Sequence, residues 1–399
     1  MLKTWFKSVK QPVNTTVNPL LNLQRDTSLT LLVMIALTIG CIFVYSATIA
    51  MKASSKFSDY SEYHFLWRHA LSIFLGISGM LVVREIKVST WGKIAPKLFI
   101  ISLIALVLVL IPHIGKSVGG AKRWISLGVL NFQPSELIKL ATVLYGANYI
   151  VRKIDKMHLF KQGILPLTIA VSLVGVLLLL EPDMGAFMVV ALIAAGILFL
   201  GGANGRLFLI LLFVCIIVFG SIIWFSPWRR QRIFAYLSPW DETFVLDKGY
   251  QLTLSLIAFG HGEWFGKGLG GSIQKLNYLP EAHTDFILAV IGEELGFIGL
   301  AGMVILFFLI AKKAFLIGRT AIQFEKHFSG LVAQGVGLWI GGQTFINMGV
   351  NLGLLPTKGL TLPLISYGGS AIIMNCIAIG ILMRVDYENH KIMRGEVVD

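Results

Sequence analysis

The apolar positions of this chain gather into long runs rather than narrow periodic stripes. Ten runs approach the ~20 residues that a helix needs to cross a ~30 Å hydrocarbon core. They lie at Leu29–Ala50, Phe65–Val83, Leu98–Ile114, Ser135–Val151, Gly163–Leu180, Met184–Leu200, Leu207–Phe225, Phe286–Ala311, Ser329–Asn351 and Ala371–Met383. Lipid offers no partner to backbone polar groups, so runs of this length predict spanning helices. The expected fold class is all-α: a polytopic integral membrane protein of about ten transmembrane helices. One membrane domain is expected over residues 29–384, with a segment 1–28 before it and a tail 385–399 after it. The first run is too long for a signal-peptide core and is expected to stay as an anchor.

Composition sharpens this. The chain is 56% hydrophobic and 14% charged, against about 25% charged in soluble domains. An ordinary soluble enzyme, a disordered chain and a nucleic-acid module are excluded, so no nucleic-acid partner is expected. The net charge of +13 is mostly the bias of Lys and Arg toward cytoplasmic loops. The runs Arg84/Lys87/Lys93/Lys97, Arg152/Lys153/Lys156/Lys161 and Lys312/Lys313/Arg319/Lys326 share one side. An even number of spans then puts both termini in the cytoplasm. Cys41, Cys215 and Cys376 fall in separate spans, which suits neither a disulfide framework nor a zinc site.

Function is therefore expected in the outer segments Gly115–Pro134, Ser226–Thr284 and Leu352–Ser370. The long external loop 226–284 is rich in aromatic and apolar residues, so it is expected to be folded and functional. Its stretch Tyr250–Phe259 predicts a short helix at the bilayer surface.

Ionisable groups at membrane depth are costly and mark function or obligatory pairing. Glu136 and Lys139 open the fourth span at i, i+3 spacing, on one helix face. They read either as a self-neutralising pair that orients the helix or as the lining of a cavity. Glu181-Pro182-Asp183 reads first as a helix-ending turn whose acids cap the next helix. Asp285 and His283 sit where the long loop meets the eighth span, with Glu293 and Glu294 two turns further on. An aspartate there can be a cap, but three carboxylates and a histidine exceed what capping needs. A carboxylate desolvated at such an entrance is a candidate general base near neutral pH. The cations Lys122, Arg123, Arg229, Arg230, Arg232 and Lys267 read as solvated loop charge or as a clamp for phosphate oxygens. Gly266–Gly271 follows no strand, so it makes no nucleotide loop. Ser366–Ser370 marks a tight turn or close backbone approach. These features describe an outward-facing polar cavity, and they fit a lipid-linked transferase and a transporter equally well.

Several segments carry a resemblance. Gly120-Ala121-Lys122-Arg123-Trp124-Ile125, Gln133-Pro134-Ser135-Glu136-Leu137-Ile138-Lys139, Glu181-Pro182-Asp183, Gly249-Tyr250-Gln251, Leu279 through Phe286, and Pro356 through Pro363 leading into Ser366–Ser370 run in the order seen in the SEDS family (shape, elongation, division and sporulation). The Pro280-Glu281-Ala282-His283 form is similar to the division branch. The resemblance implies a peptidoglycan glycosyltransferase that polymerises lipid II in septal wall synthesis, in the bacterial cytoplasmic membrane. It implies a class B penicillin-binding protein as transpeptidase partner, with other divisome proteins. By the same resemblance, catalysis depends on Asp285, which takes a proton from the acceptor sugar hydroxyl while undecaprenyl pyrophosphate leaves with inversion. The substrate-binding set it implies is Lys122, Arg123, Trp124, Glu136, Lys139, Arg229, Arg230, Arg232, His283, Glu293, Ser366 and Ser370. No resident metal is implied, although a divalent cation at the pyrophosphate is compatible with it. Two segments depart from the family pattern: His261 and Glu263 stand where smaller residues are expected, and Ala371 follows Ser370 in place of another serine. A lipid II flippase and a non-catalytic scaffold are the rival readings.

Overall fold

The computed structural model describes residues 27–51, 63–118, 121–126, 128, 131–276, 278–357 and 359–396. The segment 1–28 lies almost wholly outside the described residues, and so do Gly120, Lys358 and the last residues of the tail.

In chain order the elements are α1 (Thr27–Thr48), α2 (His64–Glu85), α3 (Val88–Leu110), β1 (Gly115–Val118), β2 (Ala121–Ser126), β3 (Asn131–Phe132), α4 (Pro134–Arg152), α5 (Leu165–Leu180), α6 (Met184–Leu200), α7 (Gly205–Trp224), α8 (Pro227–Leu237), α9 (Glu242–Val245), α10 (Tyr250–Gly262), α11 (Ile287–Gln323), α12 (His327–Asn351) and α13 (Gly369–Met393). Each of the ten apolar runs becomes a helix. The chain is a multi-pass, predominantly helical membrane protein.

Length and apolarity alone suffice for crossing in α1, α2, α3, the segment Phe160–Leu180 that contains α5, α11 and α13. Helices α4 and α12 differ because they carry buried polar side chains: Ser135, Glu136, Lys139 and Thr142 on α4, and Gln334, Gln343, Thr344, Asn347 and Asn351 on α12. Both lie inside the bundle. Helix α4 packs on α3, α6 and α12, and α12 packs on α11, α6 and α13 as well. Their polar groups meet protein instead of lipid, which is the setting in which such groups are tolerated at membrane depth. Large side chains such as Phe74, Phe213 and Phe308 stand exposed on the outer helices, as lipid contact requires.

Three features extend beyond the apolar pattern. The outer segment after α3 folds into an antiparallel sheet of order β1-β2-β3, with Gly115 opposite Ile125 and Ile125 opposite Phe132. Helix α11 continues past the end of its apolar run because Ala314, Ile317, Gly318 and Ala321 keep one buried face on a helical spacing. In the same way α13 continues through Met393, so the first part of 385–399 is helix, tied by the Arg384–Glu388 ion pair at 2.8 Å.

The long loop between α7 and α11 is folded. Helix α10 begins where Tyr250 was expected to start one and ends at Gly262. The backbone then enters a break in α11 at Gly296 (φ 66°, ψ −161°). Phe297 N donates to Glu263 O at 2.8 Å, and Lys267 N donates to Glu293 O at 3.0 Å. A Cβ on Gly296 would lie 2.5 Å from Gly266 N, so this approach requires glycine.

Candidate active site

The turn Leu279–Phe286 delivers Asp285 to the start of α11. Its carbonyls are zipped to the loop that precedes α13. His283 O accepts from Tyr367 N at 2.9 Å, and Thr284 O accepts from Ser366 Oγ at 2.6 Å. Ser366 Oγ also accepts from Leu362 N at 2.8 Å. Ser370 Oγ accepts from Gln133 N at 3.1 Å and donates to Asn131 O at 2.8 Å. Both serines, expected to bind substrate, are buried and spent on holding backbone segments together.

Between these segments lies a cavity of about 940 Å³, near the upper end of ordinary ligand sites. Asp285, Glu281 and His283 contribute from the turn, Arg123 and Trp124 from β2, Glu136 from α4 and Asp183 from the start of α6. Helix α8 adds Trp228, Arg229 and Arg232, α10 adds Gln251, and α2 adds Arg68 and Ser72. The loop before α13 closes one wall with Gly359, Leu360, Thr361 and Tyr367. On α8 the i, i+3 spacing puts Arg229 and Arg232 on one face. Arg230 does not line the cavity, and its guanidinium lies 5.9 Å from the Trp224 ring. Lys122 is exposed while Arg123 turns inward.

Charge in this cavity is only partly compensated. Burial, reinforced by Glu281, pushes the Asp285 carboxyl up to about 7, with Arg123 pulling it down and Asp183 raising it. Burial lowers the His283 pKa against the pull of Glu281. Behind the wall, burial and then Asp183 push Glu181 up to about 8, opposed by Arg123. Neither side-chain oxygen of Glu181 has a partner among the described residues. Burial, then Arg123, lowers Arg232. Arg123 is thus felt by three groups, and it is held in place by donating from Nε to Glu181 O at 3.3 Å and from a terminal nitrogen to Pro182 O. Asp183 caps α6 through Ala186 N at 3.1 Å, as expected for that turn, and also lines the cavity.

Lys139 is fully buried beneath the floor. Its Nζ donates to Glu136 Oε1 at 2.7 Å and Gln343 Oε1 at 2.8 Å. The pair therefore neutralises itself while its acidic end reaches the cavity. Glu293 is a correction: it is fully buried away from the cavity, accepting from Ser272 Oγ and Gln274 N and meeting His261 Nδ1 at 3.2 Å. Glu294 is buried likewise, paired with Lys275 at 2.7 Å. Among the described residues no three carboxylate, histidine or cysteine side chains converge as a metal set.

Sequence reading missed Arg68, Glu281, Gln251 and Gly359. Arg68 sits inside the second apolar run, where the same membrane-depth argument that singled out Lys139 applies to it.

The model of the cell cycle proteins FtsW, RodA and SpoVE matches residues 26–391. This chain belongs to that family, the SEDS family. Within it, the chain is 60% identical over 373 residues to the probable peptidoglycan glycosyltransferase FtsW of Burkholderia thailandensis, covering 94% of this chain and 81% of that protein. It is 54% identical to the protein of the same description from Polynucleobacter necessarius, covering 94% of this chain and 88% of the other. Among solved structures, it is similar to a chain of a peptidoglycan synthase complex that coordinates polymerization and crosslinking (TM-score 0.74, 26% identity, 92% of this chain and 99% of that one). The Thermus thermophilus rod shape determining protein RodA is also similar (TM-score 0.65, 26% identity, 92% and 98% covered).

Proposed function

We propose that this SEDS protein is a peptidoglycan glycosyltransferase that polymerises lipid II into glycan strands for the division septum. The observation that carries the reading is a carboxylate poised near neutrality, Asp285, sharing one cavity with the guanidiniums of Arg123, Arg229 and Arg232. Close relatives described as probable FtsW glycosyltransferases support the same chemistry.

Asp285 takes the proton of the 4-hydroxyl on the acceptor GlcNAc. The freed oxygen forms a bond to C1 of the donor MurNAc from the face opposite the leaving group. The C1–O bond to the pyrophosphate breaks, the electron pair leaves on undecaprenyl pyrophosphate, and the anomeric centre inverts. A base with a pKa near the working pH is suited to this step. Guanidiniums recognise phosphate oxygens in bidentate fashion and stabilise the charge that develops on them. The cavity opens toward the outer face in this reading, with both termini cytoplasmic. A class B penicillin-binding protein crosslinks the strands, a pairing supported by the likeness to a chain of a peptidoglycan synthase complex.

Purified protein in liposomes with lipid II, with and without the transpeptidase, tests the reading. Glycan strands that depend on Asp285 are expected. Translocation of labelled lipid II without polymer would overturn it in favour of a transporter.

A further inference from the structure

This inference rests on the glycosyltransferase reading and concerns what holds its base in place. Asn347 and Asn351, one turn apart on α12, are 2% and 0% exposed. Asn347 Nδ2 donates to Asp285 O at 2.9 Å and to Leu360 O at 2.6 Å. Asn351 Nδ2 donates to the same Asp285 O at 3.0 Å and to Asn347 O at 2.9 Å.

An amide nitrogen carries two N–H groups, and Asn347 spends both on carbonyls from two different segments. Its orientation is fixed by that choice, since Oδ1 in the same place would face two carbonyl oxygens. The Oδ1 atoms of both asparagines have no partner among the described residues. One of the bridged segments is the residue of the base itself. The other adjoins Gly359, where a Cβ would lie 2.6 Å from Asp285 Oδ2. A single nitrogen therefore ties the backbone of Asp285 to the wall that lies against its carboxylate.

We infer that Asn347 is a positioning residue for Asp285: its two N–H groups set the gap between the Asp285 backbone and the 359–360 segment, and that gap holds the carboxylate. Asn347 does not line the cavity, so it acts through Asp285 and not on the substrate. Aspartate, serine and threonine at this position supply at most one donor, and glutamine reaches too far by one carbon. Asn351 adds a second donor to Asp285 O and braces Asn347. The charged groups that act on Asp285 come from elements other than α12, namely Glu281, Asp183 and Arg123. Changing Asn347 therefore moves the base among them without removing any of them.

The test compares the full-length wild type with Asn347→Ala, Asn347→Asp and Gly359→Ala. Lipid II polymerisation gives kcat, KM and the pH profile. Difference infrared spectroscopy, with Asp285→Asn as the blank, gives the titration of the Asp285 carboxyl. Asn347→Ala and Asn347→Asp are expected to lower kcat by about 30- to 100-fold, the scale of a misplacement near 1 Å. KM stays within about twofold, because the lost contact touches no substrate. The Asp285 titration and the acidic limb of the rate profile move together away from their wild-type position. Gly359→Ala crowds the same gap from the other wall and is expected to lower kcat and move the Asp285 titration as the Asn347 variants do. Because Gly359 lines the cavity, its KM carries no weight, and its kcat and titration keep the inference testable if an Asn347 variant misfolds. Wild-type kcat and titration in a folded Asn347→Ala protein would overturn it, as would a change confined to KM or to thermal stability. A wild type that makes no polymer, yet whose Asp285 titration moves in Asn347→Ala, would overturn the glycosyltransferase reading and leave the positioning role standing.

Discussion

Two groups of acids flank the first turns of α11, and the protein treats them in opposite ways. Glu293 and Glu294 are sealed from solvent and held by protein partners: Ser272, Gln274 and His261 face Glu293, while Lys275 and Ser46 face Oε1 of Glu294, whose Oε2 has no partner among the described residues. Asp285 opens to a cavity that it shares with Glu281, Asp183 and Glu136, and guanidiniums stand among them instead of forming closed pairs. The first group fastens the 263–275 segment into the break of α11. The second leaves charge available to a ligand. Asp285 and the Glu293/Glu294 pair, within ten residues of one another, thus divide according to whether the side chain opens to the cavity or is closed on protein partners.

The sharpest way to break this comparison is to neutralise one acid from the open group. Asp285→Asn keeps size and hydrogen-bonding capacity but cannot take a proton. Polymerisation should fall by about 10²- to 10⁴-fold, the usual worth of a general base, with thermal stability little changed. A lipid II polymerisation assay next to a melting curve decides it, and a fully active Asp285→Asn protein would remove the base.

In the closed group the expected loss lies in folding. Lys275→Met strands a fully buried Glu294 carboxylate, and breaking a buried pair from one side costs about 3–5 kcal/mol. The folded yield and melting temperature in detergent should drop, while turnover per folded molecule stays close to wild type. The double variant Lys275→Met/Glu294→Met removes both charges and should recover much of the stability. If Lys275→Met instead abolished turnover in well-folded protein, the division between the two groups would fail.

How much of this division could be read from the chain alone follows from the same residues. Long apolar runs placed most of the ten helices within a few residues, because lipid enforces length and apolarity, but α3 begins at Val88, ten residues before its apolar run. The ends of α11 and α13 escaped notice, since beyond the bilayer a helix needs only one buried stripe. The sheet β1–β3 escaped too, its strands being too short to show an alternating pattern. Asp285, His283, Arg123, Trp124, Glu136, Arg229 and Arg232 were all recognisable as site residues and do share the cavity. Glu293 and Glu294 were grouped with Asp285 by proximity in sequence, but Asp285 lies in the turn before α11 while they lie two turns into the helix, where their side chains face Ser272, Gln274 and Lys275 and not the cavity. Arg230 went the same way on α8. The partners that decided the matter, Lys275 and Ser46, come from distant segments that spacing cannot reveal.

Arg123 tests the open group from the side of its cations. It faces Asp285, Glu181 and Arg232 and grips two backbone carbonyls. Arg123→Ala should cost about 10²-fold in kcat, the scale of losing one donor that stabilises developing negative charge. Its positive charge holds the Asp285 pKa down, so its loss should push that pKa above about 7. The wild-type rate should rise as pH climbs through about 7, where Asp285 ionises, and in the variant the same rise should begin at higher pH. Arg123→Lys keeps the charge but not the planar grip, so it should restore more of the pH profile than of the rate. A variant profile that coincided with wild type would show that Arg123 and Asp285 do not sense each other.

The smallest effect belongs to Glu181, which stands between the two groups in character: fully buried like Glu294, yet unpartnered among the described residues. With its carboxyl pushed up to about 8, it is mostly protonated at neutral pH, and unfolding lets it ionise at an ordinary pKa near 4.3. Below that value both states hold the proton and pH has no leverage. Between the two values the folded state keeps a proton that the unfolded state has released, so stability falls as pH rises; above about 8 both states are ionised and this dependence levels off. Glu181→Gln mimics the protonated acid at every pH. It should therefore leave turnover at pH 7 close to wild type and flatten the decline in melting temperature between about pH 5 and 8. Melting curves across that range separate the outcomes. If the slope were unchanged in Glu181→Gln, Glu181 would have to be ionised and paired as Glu294 is, and it would belong to the closed group.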